Sequence, residues 1–270
     1  MTNNNIGFIG AGNMTNALVS GLITSGHVSD NIMASSPETE HLEKIKDSFG
    51  IKTTNKNQEI FKLCGTVVLA VKPHILSTVL KSLSKEISSA NHLLISIAAG
   101  VLIKDIGLNL NGNQRIIRAM PNTPASIQSG VTALCCNDTA SKNDKWTAEK
   151  LFNSVGSTCW LKESSMDLYT SLIGSGPAYI FYLIESLLEA SEELEFENEI
   201  TKSLIIDMIV GSAKLAKVST DPPEILRKKV TSPQGVTQRA IEVFSDKKIK
   251  ESIILAIQEA KKRSRELGNH

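Results

Sequence analysis

Aromatic side chains are scarce, at 4% of a chain that is 41% hydrophobic. So few rings make a stacking platform for single-stranded nucleic acid improbable. Charge of one sign is also missing. Lys and Arg number 29 against 28 Asp and Glu, a net +1, so no broad basic field argues for nucleic acid or an anionic membrane. No apolar run approaches the length of a membrane span. The opening Met1-Thr2-Asn3-Asn4-Asn5 lacks the basic-then-apolar order of a secretory leader, and a cytoplasmic protein is expected. The four cysteines, Cys64, Cys135, Cys136 and Cys159, have neither C-x-x-C spacing nor a histidine cluster. Neither a metal site nor a disulfide framework is expected, and the thiols read as buried and reduced. Familiar catalytic signatures are absent too: there is no H-E-x-x-H, no G-x-S-x-G and no convincing carboxylate dyad. His74, beside Pro73, is the only histidine placed for catalysis, and it reads better as a helix-start residue.

What is present starts at residue 6. Ile6-Gly7-Phe8-Ile9 runs straight into Gly10-Ala11-Gly12-Asn13-Met14, and an amphipathic stretch follows at once. Strand, glycine turn and helix in that order can seat a pyrophosphate. The first N–H groups of the helix are unpaired and its dipole favours an anion. Gly10 allows the sharp turn and Gly12 allows close approach of a phosphate. The third small residue of G-x-G-x-x-G/A is missing, replaced by Thr15.

Asn31 to Pro37 reads as a short second strand ending in a turn, with Ser35 and Ser36 where NAD-preferring sites carry an acidic residue. Hydroxyls accept a 2′-phosphate that a carboxylate would repel, which favours NADPH. The same serines also suit a helix start. Gly50-Ile51-Lys52 reads as a brief strand. Thr66 to Pro73 reads as a strand buried on both faces and stopped by Pro73, while Leu93 to Gly100 and Arg115 to Pro124 read as further strands that end in small residues or proline. Ligand crevices of open α/β sheets lie at such carboxyl ends. Beyond about residue 164 helical periodicity takes over. Two domains are expected: a Rossmann-type α/β dinucleotide-binding domain over 1–163 and an all-α domain over 164–270. The helices carry more apolar surface than a lone bundle needs, which predicts a dimer interface.

Two helical-half stretches stand out. Gly174-Ser175-Gly176-Pro177-Ala178-Tyr179 fits either close helix packing or a functional loop. In Val230-Thr231-Ser232-Pro233-Gln234-Gly235-Val236-Thr237, Ser232 reads as a helix cap with Pro233 first in the helix. The N–H groups of Gly235, Val236 and Thr237, with the hydroxyls of Ser232 and Thr237, would face a small carboxylate. With no strong general base in view, chemistry that rests on orientation and a cofactor is expected, and reduction of an imine fits.

Together these residues resemble the pyrroline-5-carboxylate reductase family. The likeness runs from the glycine turn through Ala70-Val71-Lys72-Pro73, Ala98-Ala99-Gly100 and Met120-Pro121-Asn122-Thr123-Pro124 to both helical motifs. It implies NADPH-dependent reduction of 1-pyrroline-5-carboxylate to L-proline, with NADH as the alternative donor. It also implies a helical dimerisation domain and a homo-oligomer, a dimer or a decamer of five dimers. By the resemblance, Gly10, Ala11, Gly12, Asn13, Met14, Ser35, Ser36, Asn57, Ala70, Val71, Lys72, Pro73 and Ala98 bind the cofactor. Ser232, Gly235, Val236, Thr237 and Glu163 bind the substrate, and Thr237 hydrogen-bonds the ring nitrogen as the catalytic residue. The family has alanine where Thr15 stands, which predicts looser helix packing. It has glycine where Gln234 stands, and a left-handed backbone there would strain a glutamine. Two other readings share parts of the pattern. One is a reductase of another cyclic imine or a 3-hydroxy acid, although neither Lys202 nor Lys214 lies in a motif of the β-hydroxyacid dehydrogenase type. The other is a silent NADP sensor, against which the Ser232–Thr237 segment argues.

Overall fold

The computed structural model describes residues 5–88, 92–108, 110, 114–196 and 198–268. Its eight-stranded sheet has the order β3-β2-β1-β4-β5-β6-β7-β8. The strands are β1 (Ile6–Ile9), β2 (Ile32–Ser35), β3 (Lys52–Thr54), β4 (Thr66–Leu69), β5 (Leu93–Ser96), β6 (Arg115–Pro121), β7 (Gly130–Cys136) and β8 (Gly156–Trp160). All pairs are parallel except β6 with β7. The brief strand expected at 50–52 starts later, because Gly50 adopts φ +65° to end helix α2 (Thr39–Phe49) and Ile51 is buried.

The alternating side chains of these strands feed two apolar layers. Phe8, Ile95 and Ile117 pack on one face with Leu18, Leu22 and Phe152. Ile9, Leu69 and Leu94 pack on the other with Ile60, Leu76 and Ile106. Covered on both sides, the central strands have to be continuously apolar. Chain order reverses at β1: β2 and β3 lie to one side, β4 and β5 to the other. Ile9 pairs in register with Ser35 and with Leu69, so Gly10, Ser36 and Ala70 leave the sheet at one edge. That edge is the crevice position of a doubly wound fold.

The described residues of Met1–Pro177 and Ala260–His270 form one compact unit, and Ala178–Glu259 form a second. Residues 163–177 stay with the first unit through specific contacts. The Tyr169 hydroxyl donates to Val131 O at 2.7 Å, and Asn122 Nδ2 donates to Ile173 O at 3.3 Å. The second unit is helical, and its apolar side chains are open to solvent. Ile180, Phe181, Tyr182 and Leu183 are consecutive and all exposed. The helical run Glu163–Glu193 is long and apolar enough, by length and composition, to cross a membrane. This corrects the expectation that no run reaches that length. A helix covered by a second copy of the chain passes the same test.

The cysteines are free. Burial pushes the Cys64 thiol up to about 11 and Cys135 up to about 12. Iodoacetamide at pH 8 is therefore expected to leave both unmodified in the native protein and to label them only after unfolding, as read by peptide mass.

Candidate active site

The two glycines of the opening turn do different work. Gly10 has φ +108°, and a Cβ there would stand 2.5 Å from the Ala70 carbonyl oxygen. Its N–H donates to Ser35 O at 2.8 Å, while Ala70 N–H donates to Ile9 O at 2.8 Å. Gly10 is thus required by the protein's own packing. Gly12 is not: a Cβ there would meet nothing within 4 Å. It caps α1 (Asn13–Thr24) with φ −80°, a backbone any residue adopts. No side chain satisfies that cap, and the first turn carries no acidic residue. Bare N–H groups and open space at a helix start suit a phosphate.

Thr15 does not loosen the turn. It is 1% exposed, and its hydroxyl donates to Gly10 O at 2.7 Å. Asn16 Nδ2 donates to Gly12 O at 3.0 Å and to Ala11 O at 3.3 Å. The polar substitution thus pins the glycine turn from inside the helix. This corrects the expectation of looser packing.

At the neighbouring edge Ser35 is completely buried, and its hydroxyl donates to Asn57 Oδ1 at 2.8 Å. Ser36 Oγ accepts the Glu38 N–H at 3.2 Å. In this geometry Ser35 orients Asn57 and is closed to direct contact. Asn57 opens α3 (Asn57–Leu63) and is half-buried. Lys56, the exposed cap residue of that helix, was missed from the sequence. It follows closely on Thr54, which pairs with Ser35 in register. That pairing sets the β3 exit, with Lys56 just beyond it, next to the β2 exit that carries the serines. Ala70, Val71 and Pro73 are half-buried, Lys72 is exposed, and Pro73 begins α4 (Pro73–Ser82). His74 is an exposed second residue of that helix. Ala98 is buried, its N–H donating to Ser96 Oγ. The cofactor set therefore shares one sheet edge. A concavity of about 900 Å³ lies at the opposite edge, lined by the strand starts Ile6, Thr66, Leu93 and Arg115; none of the proposed site residues lines it.

Beyond β6, a π-helical turn Thr170–Gly174 precedes α5 (Gly176–Glu193). Pro177 has no N–H to give Ile173 O, and Asn122 supplies the missing donor. Gly174 is explained by packing, since a Cβ would sit 3.1 Å from Met120 Cε. Gly176 has nothing within 4 Å. Glu163 Oε1 accepts the Ile103 N–H at 2.7 Å, so this oxygen is already engaged.

In the second unit, Ser232-Pro233-Gln234-Gly235 is a turn closed by Gly235 N–H to Ser232 O at 3.0 Å. The helix, α6 (Val236–Asp246), begins at Val236 with Gly235 as cap. This corrects the expected cap at Ser232 and helix start at Pro233. Proline second and a positive φ third is a type II turn pattern, which diverts the chain before the helix can start. Gln234 has φ +58°. Its N–H donates to Gln238 Oε1 at 2.8 Å, which compensates part of the strain. The cap has no side-chain hydrogen bond and the first turn no acidic residue. Val236 and Thr237 are exposed, so their end of the helix is open to a carboxylate.

A Rossmann-type crevice with an uncapped phosphate-ready turn, joined to a helical domain with its own anion-ready helix start, defines an NAD(P)-dependent oxidoreductase. Residues 5–100 match the family model described as NADP oxidoreductase, coenzyme F420-dependent. Residues 163–267 match the one described as pyrroline-5-carboxylate reductase dimerisation. The chain is 35% identical over 269 residues to the pyrroline-5-carboxylate reductase of Pseudomonas aeruginosa, covering 99% of this chain and 98% of that one. A solved pyrroline-5-carboxylate reductase from Coxiella burnetii superposes with TM-score 0.90 at 37% identity, over 99% of this chain and 100% of that one. The Plasmodium falciparum pyrroline carboxylate reductase, solved with NADP bound, gives TM-score 0.90 at 30% identity over 100% of both chains. The chain belongs to the pyrroline-5-carboxylate reductase family.

Gly12→Ala is expected to raise KM for NADPH about tenfold while costing at most about 1 kcal/mol of stability. Gly10→Ala is expected to cost about 3 kcal/mol or more. Thermal melts and steady-state kinetics on both variants check this. Gln234→Gly should relieve about 1–2 kcal/mol of left-handed strain but add about 0.5–1 of chain entropy. Urea unfolding is expected to show a small net gain, about 0.5 kcal/mol.

Proposed function

We infer that the chain reduces 1-pyrroline-5-carboxylate to L-proline with NADPH, the last step of proline synthesis. The observation that carries this reading is the pair of uncapped helix starts, at Gly12 and Gly235. One suits a pyrophosphate and the other a small carboxylate. When bound, the nicotinamide supplies the hydride that adds to the imine carbon. The protein's own part is to hold and orient. Gly10 through Met14 cradle the pyrophosphate. Asn57, held by Ser35, together with Ser36 meets the adenosine end, and Lys56 favours a 2′-phosphate there, so NADPH is preferred over NADH. Ala70, Val71, Lys72, Pro73 and Ala98 border the dinucleotide path.

On the substrate side, the N–H groups of Gly235, Val236 and Thr237 and the Ser232 hydroxyl hold the carboxylate. The Thr237 hydroxyl hydrogen-bonds the ring nitrogen, orients the C=N bond and relays a solvent proton to the nitrogen, taking one up as it gives one. A protonated imine is already electrophilic, so little more than orientation is required of the protein. The domains divide functionally as 1–163 for cofactor and 164–270 for dimerisation and substrate. We place the enzyme in the cytoplasm as a homo-oligomer, a dimer or a decamer of five dimers, with no nucleic-acid or membrane partner. The exposed apolar face of α5 supports a helical dimer.

Oxidation of NADPH with added 1-pyrroline-5-carboxylate tests the reading, and NADH or a 3-keto acid serves as comparison. Turnover only with the keto acid, or NADPH binding without turnover, overturns it. Thr237→Ala is expected to lower kcat at least about 100-fold with NADPH affinity within about twofold. Equal losses in both would remove Thr237 from its role.

A further inference from the structure

Arg118 is the largest side chain the protein buries completely, at 1% exposed. It sits on β6, paired in register with Ser96 of β5 and Cys135 of β7. Neither Nη1 nor Nη2 makes a hydrogen bond. Both instead face carboxylates at charge-pairing distance: Nη1 is 3.6 Å from Glu163 Oε1 and Nη2 is 4.0 Å from Asp167 Oδ1. Each carboxylate is tied elsewhere. Glu163 Oε1 accepts the Ile103 N–H at 2.7 Å. Asp167 Oδ1 accepts the Ser264 hydroxyl at 3.0 Å, and Arg265 Nε lies 3.8 Å from Asp167 Oδ2.

A buried ion cluster is a poor source of net stability, because desolvation offsets much of its attraction. Its physical value lies in fixing which groups meet. The groups that meet here are informative. Ile103 closes the loop that leaves β5 through Ala98. Glu163 and Asp167 open the dimerisation segment 163–267, and Ser264 and Arg265 close it. Asp167 and Ser264 stand 97 residues apart in sequence. One guanidinium therefore lies where the cofactor loop, the first turn and the last turn of that segment converge.

We propose that the Arg118–Glu163–Asp167 cluster is a positioning device for the reductase, with two separable arms. The Glu163 arm fixes the Ala98–Ile103 loop against the cofactor. The Asp167 arm fastens the two ends of the dimerisation segment to each other, so that its helices are ordered before they associate. The first arm rests on the reading of the β5 exit as part of the cofactor crevice.

The test uses the full-length chain. Glu163→Ala should raise KM for NADPH about tenfold, more than it changes KM for the imine, with self-association within about twofold. Glu163→Gln keeps an acceptor for Ile103 and should recover most of that loss. Asp167→Asn should weaken self-association about tenfold by sedimentation, leaving KM for NADPH within about twofold. These two positions carry the decision, since outright loss of a buried arginine can cost the fold. An unchanged KM for NADPH in Glu163→Ala overturns the proposal. So does a rise in KM for the imine alone, which would return Glu163 to the substrate. So do equal changes in both readouts for both variants. Gly12→Ala separates the layers of inference. If it raises KM for NADPH and Glu163→Ala does not, the cluster proposal alone fails. If Gly12→Ala has no effect, the crevice reading fails and takes the Glu163 arm with it.

Discussion

The cofactor side depends on one close approach. The Ala70 carbonyl oxygen stands 2.5 Å from where a side chain on residue 10 would begin. Only glycine lets β1 turn out of the sheet there, directly beside the exit of β4. The register of β1 with β2 and β4 then brings Ser36, Gly10 and Ala70 to one edge. With that edge set, α1 starts with its N–H groups bare, and Thr15 and Asn16 hold the carbonyls of the turn behind them. The uncapped helix start is thus a by-product of strand pairing, stiffened by two polar side chains.

The helical half is governed by a different constraint. Burial of a leucine or isoleucine side chain contributes roughly 1.5–3 kcal/mol, and the single chain leaves many of these side chains in water. Such a face is complete only when it is covered. A dimerisation family match over 163–267 accounts for that cover, and it explains why the same helix satisfies a membrane-span test. Glycine has two meanings in this half as well. At Gly174 a Cβ would press on the end of the Met120 side chain, while Gly176 has open space around it.

Much of the fold was legible residue by residue. The β-branched run from Thr66 announces a buried strand, and the strand exits show as small residues or proline. Boundaries set by turns were less legible. The Ser232–Gly235 segment reads as a capped helix, because Ser-Pro is an ordinary helix start. A positive φ at Gln234 delays the helix to Val236. Glutamine itself gives no local signal of a left-handed backbone, and only the glycine that the family carries at this position raises it. Lys56 was missed for a related reason: it gains meaning only from the pairing of β3 with β2.

The sequence by itself determined the order of elements, the glycine turn, the two apolar layers and the family. These are local patterns, and period and steric size alone encode them. Tertiary structure decided which glycine serves the protein and which leaves room for a ligand. It decided that Ser35 works through Asn57, and that Arg118 gathers carboxylates from residues 163 and 167. Such decisions turn on distances between residues far apart in the chain, and no spacing within one segment can carry that information.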